Sequence, residues 1–211
     1  MSVTFDNVSS ATAAGVASIQ VTHTASGANL YMLVAATGAF GINGSVYNGI
    51  SMSSVAQVSD GFSTKMAVFE LVNPATGAHT LSVAGASMRG IGAITYNGVS
   101  QAAPRAHMAS ATATGATNPA IACATTAGNM VFGVINSQSG TPNPGATSRF
   151  SVNSNVPLQG QDIIATGSPQ TLSWSSSSAA NFWMIAVDIS ATASGSGPTF
   201  VYCRNLLGVG T

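Results

Sequence analysis

Short β-prone runs separated by Gly, Asn, Ser and Pro recur along almost the whole chain. They read VTFDNV (3–8), ASIQVTH (17–23), NLYMLVAAT (29–37), SSVAQVS (53–59), KMAVFELV (65–72), AHTLSVAG (78–85) and GIGAITYN (90–97). They continue as NPAIACAT (118–125), NMVFGVIN (129–136), SRFSVNS (148–154), QDIIATG (161–167), QTLSWSS (170–176) and NFWMIAVDIS (181–190). About a dozen such runs, with turn residues every 8–12 positions, is the pattern of a sandwich or jelly roll. No run keeps a 3.6-residue apolar period long enough to compete. Alanine favours helix, but the Gly, Ser, Thr and Val around it oppose that. The expected fold is therefore all-β, an antiparallel, jelly-roll-like β-sandwich over residues 1–191, followed by a linker and an extended C-terminal arm over 192–211.

The turn chemistry agrees. YNGI (47–50) and YNGV (96–99) hold Asn-Gly pairs, which predict two independent hairpin turns. In NPATG (73–77), Asn73 before Pro74 favours turn entry, and Gly77 supplies the positive φ that closes it, so His79 falls at a hairpin start.

Strand faces carry a second message. In NFWMIAVDIS one face is Trp183, Ile185, Val187 and Ile189, and the other is Phe182, Met184, Ala186 and Asp188. In NLYMLVAAT the faces are Leu30, Met32 and Val34 against Tyr31, Leu33 and Ala35. A lone sandwich wets one side of each sheet, yet these strands are apolar on both. Either a further layer or loop of the same chain covers the second face, or another subunit does.

Charge excludes several functions. Only 5% of the 211 residues are charged, against about 25% in an average soluble protein. The five cations stand singly, so nucleic acid is not an expected partner. The formal net charge is zero, which removes the repulsion that keeps proteins apart, and self-association is expected. MSVTFDNVSS lacks the basic and apolar regions of a signal peptide, and no run reaches the ~18 apolar residues of a spanning helix, so no membrane partner is expected either.

Chemistry-bearing motifs are missing from the sequence. His23, His79 and His107 form no metal-ligand spacing, no Cys-x-x-Cys occurs, and no G-x-S-x-G elbow is present. No cofactor is expected, and no catalytic residue is assigned. Cys123 lies in a strand and reads as a small core residue. Its pairing with Cys203 is left open. Trp174, on a face with Leu172, and Trp183 read as core by alternation, although exposed tryptophans could stack on a sugar.

The strings AVFELVNPATGAHTLSVAG, GAITYNGVSQAAP and FWMIAVDIS resemble a jelly-roll β-sandwich family found in structural proteins of tailed bacteriophage particles and in some bacterial surface proteins. The resemblance covers roughly residues 3–191. It implies a capsid decoration (cement) protein without catalytic residues, made in the host cytoplasm and placed on the capsid surface of the virion. Its partners would be the major capsid protein or another virion protein. Three-fold positions on such shells would suit a trimer. A tail or fibre component is the alternative within that class, and a carbohydrate-binding adhesin module the alternative outside it.

The end of the chain fits such a setting. After the linker SATASGSG come Phe200, Val201, Tyr202, Leu206, Leu207 and Val209, with Arg204 as the one charge. Each apolar side chain buried against a partner is worth about 1.5–3 kcal/mol before ordering costs. These six residues are the candidate interface, an arm that can reach a neighbouring subunit or lie along its own sheet.

Overall fold

The computed structural model describes residues 2–59, 61, 64–136, 141–142 and 144–192. The arm residues Phe200, Val201, Tyr202, Leu206, Leu207 and Val209, and Cys203 with them, lie outside the described residues. Among the described residues every regular element is a strand, and every paired neighbour is antiparallel. The chain is an all-β sandwich.

The N-terminal half supplies β1 (Thr4–Ala25), β2 (Tyr31–Tyr47), β3 (Ile50–Ser51), β4 (Ser53–Ser59), β5 (Thr64–Val72) and β6 (Gly77–Asn97). They form one sheet in the order β1-β6-β2-β5-β4, with β3 beside β2. The remainder supplies β7 (Arg105–Ala116), β8 (Ala120–Cys123), β9 (Met130–Ile135), β10 (Thr141–Pro142), β11 (Thr147–Val152), β12 (Leu158–Ile164), β13 (Gln170–Ser175) and β14 (Ala180–Ile189). A second sheet runs β11-β12-β9-β14-β7, and a small third sheet runs β10-β13-β8.

Three strands are longer than the sequence runs imply. The runs at 3–8 and 17–23 are both parts of β1, and 78–85 and 90–97 are both parts of β6. Likewise β2 continues past 29–37 to Tyr47. Pairing slips in register at Thr12/Val16 in β1 and at Ala39/Ile42 in β2. Gly15 (φ 80°), Phe40 (φ 63°) and Gly41 (φ 159°) lie at the same place along the sheet. Bulges of this kind bend a strand without ending its ladder.

The bend folds the far ends of β1, β2 and β6 back over the sheet's own outer face. Ile19, Ile42, Tyr47, Leu81 and Val83 from the far ends pack with Met32, Val34, Ala36, Phe69, Ile91 and Ala93 from the near ends. A second core joins the two large sheets through Tyr31, Leu33, Val68, Ile94, Phe132, Phe150, Ile185 and Val187. In a third, Ile121, Leu172 and Trp174 of the small sheet cover Val131, Ile135, Phe182 and Met184. The chain is thus four layers with three apolar interfaces.

This resolves the two-faced strands. Met32 and Val34 face the folded-back layer while Tyr31 and Leu33 face the second sheet. Ile185 and Val187 face the first sheet while Phe182 and Met184 face the small one. Both faces are covered within one chain, so a subunit contact is not needed to explain them.

The two Asn-Gly pairs differ. Asn48 (φ 49°) and Gly49 (φ 78°) make the expected tight turn between β2 and β3. The second pair is not a hairpin. Gly98 N–H donates to Ala28 and Val99 N–H to Asn29, and Val99 then bridges to Ala191, so the chain crosses to the second sheet. Gly77 does take a positive φ (98°), but NPATG joins strands that do not pair. β2 lies between them, so His79 starts a strand but no hairpin.

Candidate functional site

The fold-back brings together polar groups far apart in sequence. His23, on the far end of β1, is fully buried over the near end of the sheet. Its Nδ1 lies 2.8 Å from Ser9 Oγ and its Nε2 3.3 Å from Thr95 Oγ1. Thr95 Oγ1 in turn donates to Asp6 Oδ2 at 2.7 Å, and the Ser26 amide and hydroxyl donate to the same carboxylate. Burial pulls the His23 imidazole down to about 4 although the Asp6 charge pushes it up. The neutral ring then carries one proton. With that proton on Nε2 it donates to Thr95, and Ser9 donates to Nδ1. The residue types are those of a hydrolase relay, but a base with so low a pKa is weak at neutral pH. The arrangement works as a buried clasp between layers.

Two ion pairs pin the second sheet and its neighbours. Glu70 on β5 takes Arg105 Nε at 3.0 Å and Nη2 at 3.1 Å, and also accepts from the Tyr31 hydroxyl. Burial pushes the Glu70 carboxyl up, but these bonds outweigh it and hold it below the usual range. Asp162 on β12 accepts from Arg149 Nε at 2.7 Å and from Tyr96 of the first sheet at 2.9 Å. The Arg149 guanidinium also lies 4.0 Å from the centre of the Phe5 ring. Burial, then the Asp162 charge and hydrogen bond, push the Tyr96 hydroxyl far up.

Asp188, on the small-sheet side of β14, is fully buried and accepts from Thr125 Oγ1 and Asn129 Nδ2. Cys123 is buried beside it. Burial and the Asp188 charge raise its thiol to about 11, so it is a poor nucleophile. It is the small core residue that its place in a strand predicts. Among the described residues, no group of three His, Cys, Asp or Glu side chains is placed to hold a metal. Among the described residues no helix is long and apolar enough to cross a membrane.

Trp174 is buried against the second sheet and Trp183 is half-buried against the main core, as their strand faces predict. Neither forms an exposed platform. The large apolar side chains that do reach solvent include Phe40, 71% exposed at the bend of β2, and Ile50 and Ile164. Sequence reasoning passed over Ser9, Asp6 and Thr95 because only the bend of β1 brings them to His23.

Two long strands have an open edge. β1 pairs with β6 and β7 with β14, each at the end of its sheet among the described residues. From Asn7 to Ala25, and from Ala106 to Ala116, neither strand has an acidic residue, Lys, Arg or Pro. Natural edge strands usually carry such residues to block pairing with other chains.

Comparison of the chain with protein-family models, with curated proteins and with solved structures finds no match.

Proposed function

We propose that the protein is a non-enzymatic structural component of a phage particle, a capsid decoration protein that binds the shell and its own copies. One observation carries this reading: five of the ten charged side chains are spent inside the molecule. Asp162 and Arg149, Glu70 and Arg105, and Asp188 with its hydroxyl and amide donors are all tied into the packing between layers. What faces water is mainly Ser, Thr, Ala, Asn and Gly, side chains with little rotamer entropy to lose on contact. A surface without charge repulsion, flanked by open edges, favours packing against neighbours. On this reading the partners are the major capsid or another virion protein and sister copies, as a trimer, and the arm from Phe200 to Val209 completes the contact.

The same surface would serve a tail or fibre component. Protein mass spectrometry and cryo-electron microscopy of purified particles test the proposal. Copies arrayed on the shell support it. Particles lacking the protein, or copies confined to the tail, overturn the decoration role.

A further inference from the structure

Arg89 differs from Arg105 and Arg149. Those two bind carboxylates, whereas among the described residues the Arg89 side chain has no hydrogen-bond or ion-pair partner, and its Nε is buried. A guanidinium partly withdrawn from water with no counter-ion is costly. Its guanidinium lies against the backbone of β1. Gly15, at the bulge of β1, has φ 80°, and a Cβ there would fall 3.1 Å from Arg89 Cζ and 2.8 Å from Ser87 Oγ. Glycine at this bend leaves room for the guanidinium beside the backbone.

Arg89 opens onto a cleft of about 300 Å³ between the bulge of β1 at Thr12 and the turn of Asn153, Ser154 and Asn155 that joins β11 to β12. Among the described residues no carboxylate lines it. Its wall is made of hydroxyl and carboxamide groups, which both donate and accept hydrogen bonds. Ala13 and Ala14 supply a small apolar floor.

We propose that this cleft binds a sugar acid, with Arg89 pairing the carboxylate and the Thr12, Asn153 and Asn155 side chains meeting the ring hydroxyls. A single cation suits a monoanion, and the planar fork of arginine fits a carboxylate through two parallel hydrogen bonds. An acid side chain of a protein would use Arg89 but leave the amides and hydroxyls idle. The volume is of the order of a single sugar ring, and hydroxyl-rich walls suit a hydroxyl-rich ligand.

The test is titration of the full-length, ¹⁵N-labelled protein, reading the arginine Nε–H signals. Arg105 and Arg149, whose Nε groups are already engaged, serve as internal references. Glucuronate, glucose and acetate are added in turn. Saturable movement of the Arg89 signal with glucuronate in the millimolar range, none with glucose, and weaker binding of acetate are expected. Arg89→Met should lower glucuronate affinity at least about tenfold, and Arg89→Lys should lower it less, with unchanged melting temperatures certifying the fold. No saturable shift with glucuronate overturns the site. Equal affinity for acetate and glucuronate overturns the sugar-acid assignment, and so does equal binding to the Arg89→Met protein.

Discussion

The ring of Phe150 lies flat against the backbone of Gly92 on the facing sheet. A Cβ on Gly92 would fall 2.3 Å from Phe150 Cε2. On the other side, a Cβ on Gly160 would fall 2.4 Å from Phe150 Cε1. Phe150 therefore fills the gap between the two large sheets only because both positions lack a side chain. Gly92→Ala should destabilise the protein by about 1–3 kcal/mol through overpacking. Urea denaturation checks this. In a double-mutant cycle with Phe150→Leu, the combined loss should be smaller than the sum of the single losses, because the smaller side chain leaves room for the methyl group.

His23 makes the fold acid-sensitive. Its pKa is about 4 in the folded protein and 6.5 in an ordinary imidazole, so the unfolded chain binds the extra proton first. The stabilising contribution is whole above about pH 6.5 and is lost as pH falls towards 4. A shift of this size corresponds to about 3 kcal/mol. Stability measured across that window should therefore fall with decreasing pH. In His23→Gln the pH-dependent step should shrink or vanish. An unchanged step in the variant would assign the acid sensitivity to other groups.

Asp162 joins three elements, because it accepts from both Arg149 and Tyr96. Asp162→Ala leaves a mostly buried guanidinium and a buried phenol unpaired, and should cost about 3–5 kcal/mol. Replacing the pair together, as Asp162→Leu with Arg149→Met, should cost less than Asp162→Ala alone, since no uncompensated charge remains. Thermal melting of the three proteins decides the order.

How much of this was legible in the sequence depends on the range of the interaction. Local signals worked: Asn48-Gly49 turns as expected, and alternation placed Trp174 and both faces of β14 correctly. The bends did not show. Phe40 adopts a left-handed conformation that bulky residues rarely take, and nothing in AFGI announces it. Without that bend the run at 29–37 reads as a strand that stops short of it, just as the two runs of β1 and the two of β6 read as separate strands. β7 was missed for a different reason. ASATATG (109–115) alternates only small side chains, so it carries almost no hydrophobic period and is held as a strand by its pairing with β14. Asn97-Gly98 looked like a hairpin because the dipeptide is local, whereas its partners, Ala28, Asn29 and Ala191, are distant. The Arg89 cleft, built from three separate segments, gave no sequence signal at all.

The internal covering of both strand faces sharpens what the C-terminal arm should do. Ala191, next to the last described residue, packs against the main core. Thr192 is anchored by bonds to the Gly98 carbonyl, so the sandwich ends in a fixed exit point beside the start of β1. If the segment after it is an assembly arm, deleting residues 198–211 should leave the melting transition of the isolated protein within about 1 °C. It should also weaken attachment to particles, or reduce self-association in sedimentation experiments, since six apolar side chains are removed from the contact. If those residues instead complete the core of their own chain, the deletion should lower the melting temperature by several degrees and leave binding per folded molecule unchanged. The two outcomes differ in both measured quantities. A drop in melting temperature with intact association would remove the arm from the proposed mechanism, leaving the open edges of β1 and β7 as the remaining candidates for contact between copies.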